Sequence, residues 1–196
     1  MAEITGIQFG TLSADSIRKF SVVEINAHDV YDKGVPKYGG LSDLRLGTID
    51  RQYKCQTCKN NAIGCCGHFG HIELKTSVYH ISFMKYIVKV LQCICVKCSK
   101  IKGEYTIKNK GSKQLKYVND IAKTKLICTE CEHQQPKIVS EKTEIILEYE
   151  KRNKITSNEC KSILENISNT DLTKLGFDIN SPPTNFILNV LPVPPP

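Results

Sequence analysis

The stretch CQTCKNNAIGCCGHFGH, residues 55–71, decides the fold, because it concentrates metal-ligand side chains in one short segment. Two residues separate Cys55 from Cys58, and Cys65 and His68 repeat that gap. A two-residue gap lets both side chains of a tight turn point at one ion, and two such turns complete the tetrahedron that zinc adopts in proteins. The segment therefore predicts a zinc site of three cysteines and one histidine.

Two further pairs with the same gap lie downstream. Cys95 and Cys98 stand in CICVKCSK, and Cys128 and Cys131 stand in LICTECEH. Zinc suits thiolate and imidazole ligands better than calcium or magnesium does. These pairs predict a second site, of four cysteines. Both sites use four protein ligands, so we expect two structural Zn²⁺ ions whose binding contributes folding free energy.

The first site contains an ambiguity, since Cys66 adjoins Cys65 and His71 lies three residues beyond His68. Only the choice of Cys65 and His68 repeats the two-residue gap, with Gly67 easing the tight turn. The remaining cysteines are expected to be small buried side chains, and the remaining histidines surface or packing residues: Cys93, Cys160, His28, His80 and His133.

Two other classes of protein use paired cysteines, and the spacing disfavours both. A cross-braced RING-type ubiquitin ligase keeps its second and third pairs close together, whereas residues 69–94 intervene here. A thioredoxin-like redox site needs one Cys-x-x-Cys at a strand–helix junction, not four pairs.

Composition is that of an ordinary globular protein. The chain has 196 residues, of which 40% are hydrophobic and 24% charged, with a formal net charge of +7. The basic balance suits a nucleic-acid partner but is a weak signal by itself. No secretory signal or membrane-length apolar run is present in the sequence, so we expect an intracellular protein without a membrane partner. Ten cysteines in a reducing compartment then indicate metal binding instead of disulfides.

Hydrophobic periodicity predicts short helices and short strands, an α+β protein with small sheets. Strands are expected over Ile4 to Gly10, Val22 to Ile25, His71 to Tyr79, Thr143 to Tyr149 and residues 186–191, with a Gly-rich loop over 32–47. Helices are expected from an N-cap at Ser13 through Phe20, over 81–91, within 99–127 with Leu115, Val118, Ile121 and Ala122 on one side, from Ser157 through Ile167, and from Thr170 to Gly176.

The segment between the two halves of the second site is rich in lysine. We take four of its lysines as candidate nucleic-acid contacts, because phosphate contacts give sequence-independent affinity: Lys108, Lys110, Lys113 and Lys116. The alternative is that these side chains only solvate an exposed insertion.

Several strings of the chain resemble one family. They run from IQFGTLSADSIRKFSVVEI (7–25) through GGLSDLRLGTIDRQYKCQTC (39–58) to CCGHFGHIELKTSVYH (65–80), and continue in KYIVKVLQCICVKCSK (85–100), KTKLICTEC (123–131) and LPVPPP (191–196). The largest subunit of RNA polymerase II and its relatives in large DNA viruses begin with similar strings. On this resemblance the chain is identified as a member of that family, over essentially its whole length.

The resemblance implies a fold and a role. It implies a zinc-stapled clamp core and clamp head, a mobile lobe that helps to hold DNA and the RNA–DNA hybrid during transcription. The family's ligands map onto the eight residues paired above. The implied segments are 1–92, clamp core with the first zinc site; 93–135, clamp head with the second; and 136–196, a return to the core that is truncated at the Pro-rich end. The implied partners are the remainder of the largest subunit, the second-largest subunit and other polymerase subunits.

The resemblance also limits the chemistry expected of this chain. The family's Asn-Ala-Asp-Phe-Asp-Gly-Asp loop, which holds catalytic Mg²⁺, is absent from the sequence. We therefore expect part of a nucleotidyltransferase that is inactive alone: a fragment, the first piece of a split gene, or a frame interrupted by an intron or intein. The expected compartment is the nucleus or, for a viral protein, the virion and host cytoplasm. A stand-alone zinc-dependent DNA-binding or regulatory protein is the alternative.

Overall fold

The computed structural model describes residue 6 and residues 10–196. The strand expected over Ile4 to Gly10 falls mostly on residues 1–5 and 7–9, which lie outside the described part of the chain. The described elements are short helices and strands: α1 Ala14–Phe20, β1 Tyr31–Asp32, β2 Val35–Pro36, β3 Gly70–Tyr79, α2 Met84–Cys93, α3 Ser112–Ala122, β4 Lys137–Glu141, β5 Glu144–Glu148, β6 Arg152–Ile155, α4 Ser157–Glu165, α5 Asn169–Leu175 and β7 Ile187–Val193, with 3₁₀ turns at Ile81–Phe83 and Pro183–Phe186. This is the α+β class expected from the sequence.

The chain divides into two compact units. The major unit comprises Met1–Thr11 and Ser77–Ile187, and the minor unit comprises Leu12–Thr76 and Leu188–Pro196. The three segments expected from the resemblance divide the chain by role instead of by contacts, and they remain a prediction.

The core of the major unit is built on α2 and α3. Ile87, Val90 and Leu91 of α2 are fully buried, and Leu115 and Val118 of α3 join the same cluster. Strands β4, β5 and β6 form an antiparallel sheet beside them, with Ile138 opposite Leu147 across β4 and β5. The sequence predicted only the middle strand of this sheet. Its neighbours are short and strongly charged, so their alternation is weak.

The helix over 81–91 and the exposure of Ile121 differ from expectation. The segment opens as a 3₁₀ turn, and α2 itself begins at Met84. Ile121 was expected on the apolar side of α3 but is 40% exposed, whereas Ala122 is buried. The buried face of α3 instead includes the polar side chains of Gln114 and Asn119.

Helix caps confirm one prediction and correct two. Ser13 caps α1, its hydroxyl accepting the Ser16 N–H at 3.1 Å. The cap of α4 is Thr156 and not Ser157, because Thr156 and Glu159 form a reciprocal capping box. The cap of α5 is Ser168 and not Thr170, although that helix ends at left-handed Gly176 as predicted.

The minor unit is held by loops and short pairings. Residues 22–25 are extended as predicted, and they run beside β3, since the Ile25 N–H donates to the His71 carbonyl at 2.8 Å. Strands β3 and β7 pair with each other. The segment expected to be only a loop contains a hairpin of β1 and β2. Val23, Ile25, Leu46 and Val193 form a small apolar cluster.

Candidate metal centres

The first candidate centre lies in the minor unit. The ligand atoms of Cys55, Cys58, Cys65 and His68 all lie within 4.8 Å of one another. The Nε2 atom of His68 is buried and has no hydrogen-bond partner among the described residues. A buried ring nitrogen without a partner is costly unless a ligand satisfies it. A metal ion among the three thiols fits that need.

The two other candidate ligands lie outside this cluster. Cys66 is exposed, and its thiol lies 3.6 Å from the Gly67 carbonyl. His71 hydrogen-bonds through Nδ1 to the Ser21 hydroxyl at 2.7 Å. The structure therefore groups the four residues that the two-residue gap selected.

Three of the four ligand pairs share one backbone turn. In the first, the Cys55 N–H donates to the Asn60 carbonyl at 2.9 Å and the Lys59 N–H donates back to the Cys55 carbonyl at 2.9 Å. The turns at Cys95 and Cys128 repeat both bonds. Each requires a left-handed residue directly after the second cysteine: Lys59 at φ 64°, Ser99 at φ 58° and Glu132 at φ 55°. None is glycine, so each turn carries backbone strain.

The fourth pair uses a glycine where the space is smallest. Gly67 has φ 79°, and a Cβ at this position would lie 2.6 Å from the Pro195 ring. Its N–H points at the Cys65 sulfur at 3.4 Å. Only glycine meets both demands.

A loop that the sequence left without a role braces this first centre. The Leu46 carbonyl accepts the His68 N–H at 2.7 Å, and the Leu44 carbonyl accepts the Gln56 N–H at 2.9 Å. Asp43, only 1% exposed, organises the loop by accepting the Arg45 N–H and pairing with the Arg45 guanidinium at 2.7 Å. Burial opposes ionisation of this carboxyl, but these bonds outweigh it and lower the pKa of Asp43.

The second candidate centre lies in the major unit, where helix α2 delivers its first pair. The ligand atoms of Cys95, Cys98, Cys128 and Cys131 also lie within 4.8 Å of one another. The sulfur atoms of Cys95 and Cys131 are 3.5 Å apart, and those of Cys98 and Cys128 are 3.7 Å apart. Zinc–sulfur bonds of about 2.3 Å at tetrahedral angles would separate sulfur atoms by about 3.8 Å. The cluster already has the dimensions of a tetrathiolate site.

Hydrogen bonds in the second centre favour a thiolate at Cys95. Burial disfavours the charged form, but the backbone N–H groups of Cys98 and Lys97 outweigh it and lower the pKa of Cys95 to about 7. The buried side chain of Gln135 adds a bond from Nε2 to the Cys95 sulfur at 3.2 Å. Sequence reasoning missed Gln135, since a glutamine four residues beyond the last ligand follows no metal-site pattern.

The unpaired cysteines and histidines are where the sequence placed them. Cys93 and Cys160 are fully buried, and burial raises the pKa of each to about 12. His28 is exposed, while His80 and His133 are half-buried against aromatic rings. None of them belongs to either four-residue cluster.

The four candidate lysines form a continuous stretch of exposed chain, named here the lysine surface: Lys108, Lys110, Lys113 and Lys116. Lys113 and Lys116 lie on the exposed face of α3, and Lys108 lies over the Tyr117 ring at 4.9 Å. Lys102, from the same insertion, is only 4% exposed and burial lowers its pKa. It therefore does not belong to this surface.

Comparison with known proteins identifies the family. The model of RNA polymerase Rpb1, domain 1, matches residues 1–196. The chain belongs to the RNA polymerase Rpb1, domain 1 family. This confirms the family, the fold class and the link to the largest polymerase subunit that the sequence predicted.

Individual relatives of this Rpb1 domain support the assignment. The chain is 32% identical to DNA-directed RNA polymerase II subunit RPB1 of Euplotoides octocarinatus, over 99% of this chain and 47% of that protein. It is 37% identical to subunit Rpo1N of Thermococcus celer and 38% identical to Rpo1N of Sulfolobus acidocaldarius, over 98% of this chain and 24% of each. The chain thus spans between a quarter and a half of the length of these relatives. Among its described residues, no helix is long and apolar enough to cross a membrane.

Proposed function

We propose that this chain is the amino-terminal clamp module of a DNA-directed RNA polymerase largest subunit, helping to hold DNA and the RNA–DNA hybrid during transcription. The observation that carries the proposal is the match of the domain-1 family model to the entire chain, residues 1–196. Relatives covering 98–99% of the chain bear polymerase names.

Zinc at both centres is part of the proposal. The orphaned His68 Nε2 and the 3.5–3.7 Å sulfur separations fit four-coordinate zinc without a position for water. When bound, each ion would supply structural cross-linking between two turns. Site ligands are Cys55, Cys58, Cys65 and His68 in one centre, and Cys95, Cys98, Cys128 and Cys131 in the other.

The lysine surface is the proposed contact with nucleic acid. Its side chains are exposed, and none forms an ion pair within 4.0 Å among the described residues. The Gly111 carbonyl and Gln114 fasten the loop that carries it to the buried side of α3. Unpaired lysines on a fixed scaffold suit sequence-independent phosphate contacts.

Polymerisation chemistry is assigned elsewhere in the assembly. Catalytic Mg²⁺ would be held by parts of the polymerase other than this chain, and the chain alone is expected to be inactive. The proposed partners are the rest of the largest subunit, the second-largest subunit and other polymerase subunits. The proposed compartment is that of the polymerase, the nucleus or a virion and host cytoplasm.

The decisive experiment is co-purification of the tagged chain from its native source in moderate salt, followed by mass spectrometry. We expect recovery with other polymerase subunits, or as the start of a longer polypeptide. Recovery alone at the mass of 196 residues, with tight sequence-dependent binding to duplex DNA, would overturn the clamp assignment in favour of a stand-alone DNA-binding protein.

A further inference from the structure

One buried side chain connects the two halves of the second centre. Gln135 is 6% exposed. Its Oε1 accepts the Val96 N–H at 3.1 Å, within the turn of Cys95. Its Nε2 donates to the His133 carbonyl at 2.9 Å, and that carbonyl also accepts the Cys128 N–H at 3.0 Å, closing the other turn. A single amide thereby bridges both cysteine turns.

The orientation of this amide is fixed by its partners. Val96 offers a donor, so it must face the amide oxygen, while His133 offers an acceptor and must face the NH₂ group. The second hydrogen of the NH₂ group is then directed at the Cys95 sulfur, 3.2 Å away. The Gln135 backbone is held as well, because its N–H donates to the Leu126 carbonyl at 2.7 Å.

We propose that Gln135 is a positioning residue for the second metal centre, holding the two cysteine turns at ligand distance and neutralising part of the charge on the Cys95 sulfur. The inference rests on the proposed zinc at that centre. Side chains that orient metal ligands typically contribute 10- to 100-fold in metal affinity. An N–H donor to a thiolate also lowers the energy of the sulfur lone pair.

The test compares Gln135→Met with Gln134→Met in the full chain. Methionine keeps the length of the side chain but has no N–H donor, and Gln134 is the same residue type, adjacent and exposed. Native mass spectrometry during chelator titration counts the zinc ions retained. Alkylation mapping of released cysteines identifies the centre that opens.

We expect Gln135→Met to lose zinc from the four-cysteine centre at about 10- to 100-fold lower chelator strength, with Gln134→Met unchanged. With Co²⁺ as a spectroscopic probe, its sulfur-to-cobalt charge-transfer band should move to longer wavelength, because the thiolate has lost its donor. A purely structural residue would not shift that band. Gln135→Glu, which keeps the shape and the oxygen facing Val96, should weaken the same centre.

Three outcomes would overturn the inference or its basis, and they are distinguishable. Wild-type protein that retains no metal at the four-cysteine centre would refute the zinc assignment itself. Two retained ions in the wild type, with unchanged affinity and spectrum in Gln135→Met, would refute only the role of Gln135. Failure of both Gln135 variants to fold at saturating zinc, while Gln134→Met folds, would refute a specific role at the metal.

Discussion

Replacing Gln114 by leucine is expected to destabilise the major unit and release the loop that carries half of the lysine surface. Gln114 is fully buried on α3. Its Oε1 accepts the N–H groups of Lys108 and Asn109 at 3.1 and 3.0 Å. Its Nε2 donates to the carbonyls of Thr106 and Lys174 at 3.1 and 2.9 Å. All four bonds hold main-chain groups that have to be satisfied when buried.

The size of the effect follows from that set of bonds. A hydrogen bond contributes about 1 kcal/mol net, so the four bonds together contribute about 4 kcal/mol. Leucine recovers about 1 kcal/mol through its apolar surface. Gln114→Leu should therefore reduce the free energy of unfolding by about 3 kcal/mol, which corresponds to a fall in Tm of about 9 °C for a chain of this size.

Urea denaturation of the zinc-loaded protein, followed by circular dichroism, measures the loss. Hydrogen exchange at the Lys108 and Asn109 amides should accelerate, since both lose their acceptor. The control is Lys113→Leu at the neighbouring exposed position, where the change should stay within about 0.5 kcal/mol. A Gln114→Leu protein that stays within about 1 kcal/mol of wild type, with unchanged exchange at both amides, would refute the reasoning.

Four further predictions concern the two centres and the lysine surface. Glu132→Gly should raise the free energy of unfolding by about 0.5–1 kcal/mol by relieving the left-handed turn, whereas Glu132→Ala should not, and thermal unfolding with zinc bound separates them. Cys95→Ser should release one zinc ion and open protease cuts between the halves of the second centre; unchanged cleavage there would contradict that ligand set. Changing all four residues of the lysine surface to glutamine should weaken binding to duplex DNA uniformly across sequences and flatten the salt dependence by about 0.9 in log–log slope for each phosphate that the variant no longer neutralises; an unchanged slope would show solvation alone. Asp43→Asn should cost about 2 kcal/mol at neutral pH, and because the folded-state pKa lies below 3.8, wild-type protein should lose this advantage as the pH falls below about 4; a difference that is constant with pH would contradict the paired carboxylate.

Spacing along the chain determined the two ligand sets, because a two-residue gap is a local property that survives in any fold. The same locality explains the correct prediction of the cap at Ser13 and of strand β3, since both depend on residues a few positions apart. The misplaced caps at Thr156 and Ser168 arose where several hydroxyl residues adjoin and only side-chain geometry decides which one accepts a helix N–H.

Tertiary structure decided which residues support those ligands. Asp43, Gln114 and Gln135 are polar side chains whose partners lie on other segments, so no periodic pattern marks them as buried. Lys102 and Lys116 look alike in the sequence, yet one is buried and the other exposed. The sequence by itself named the metal ligands and the family, because both are written in local strings. Which polar groups brace the ligands, and which lysines face solvent, depended on long-range packing that places a particular acceptor or donor beside each side chain.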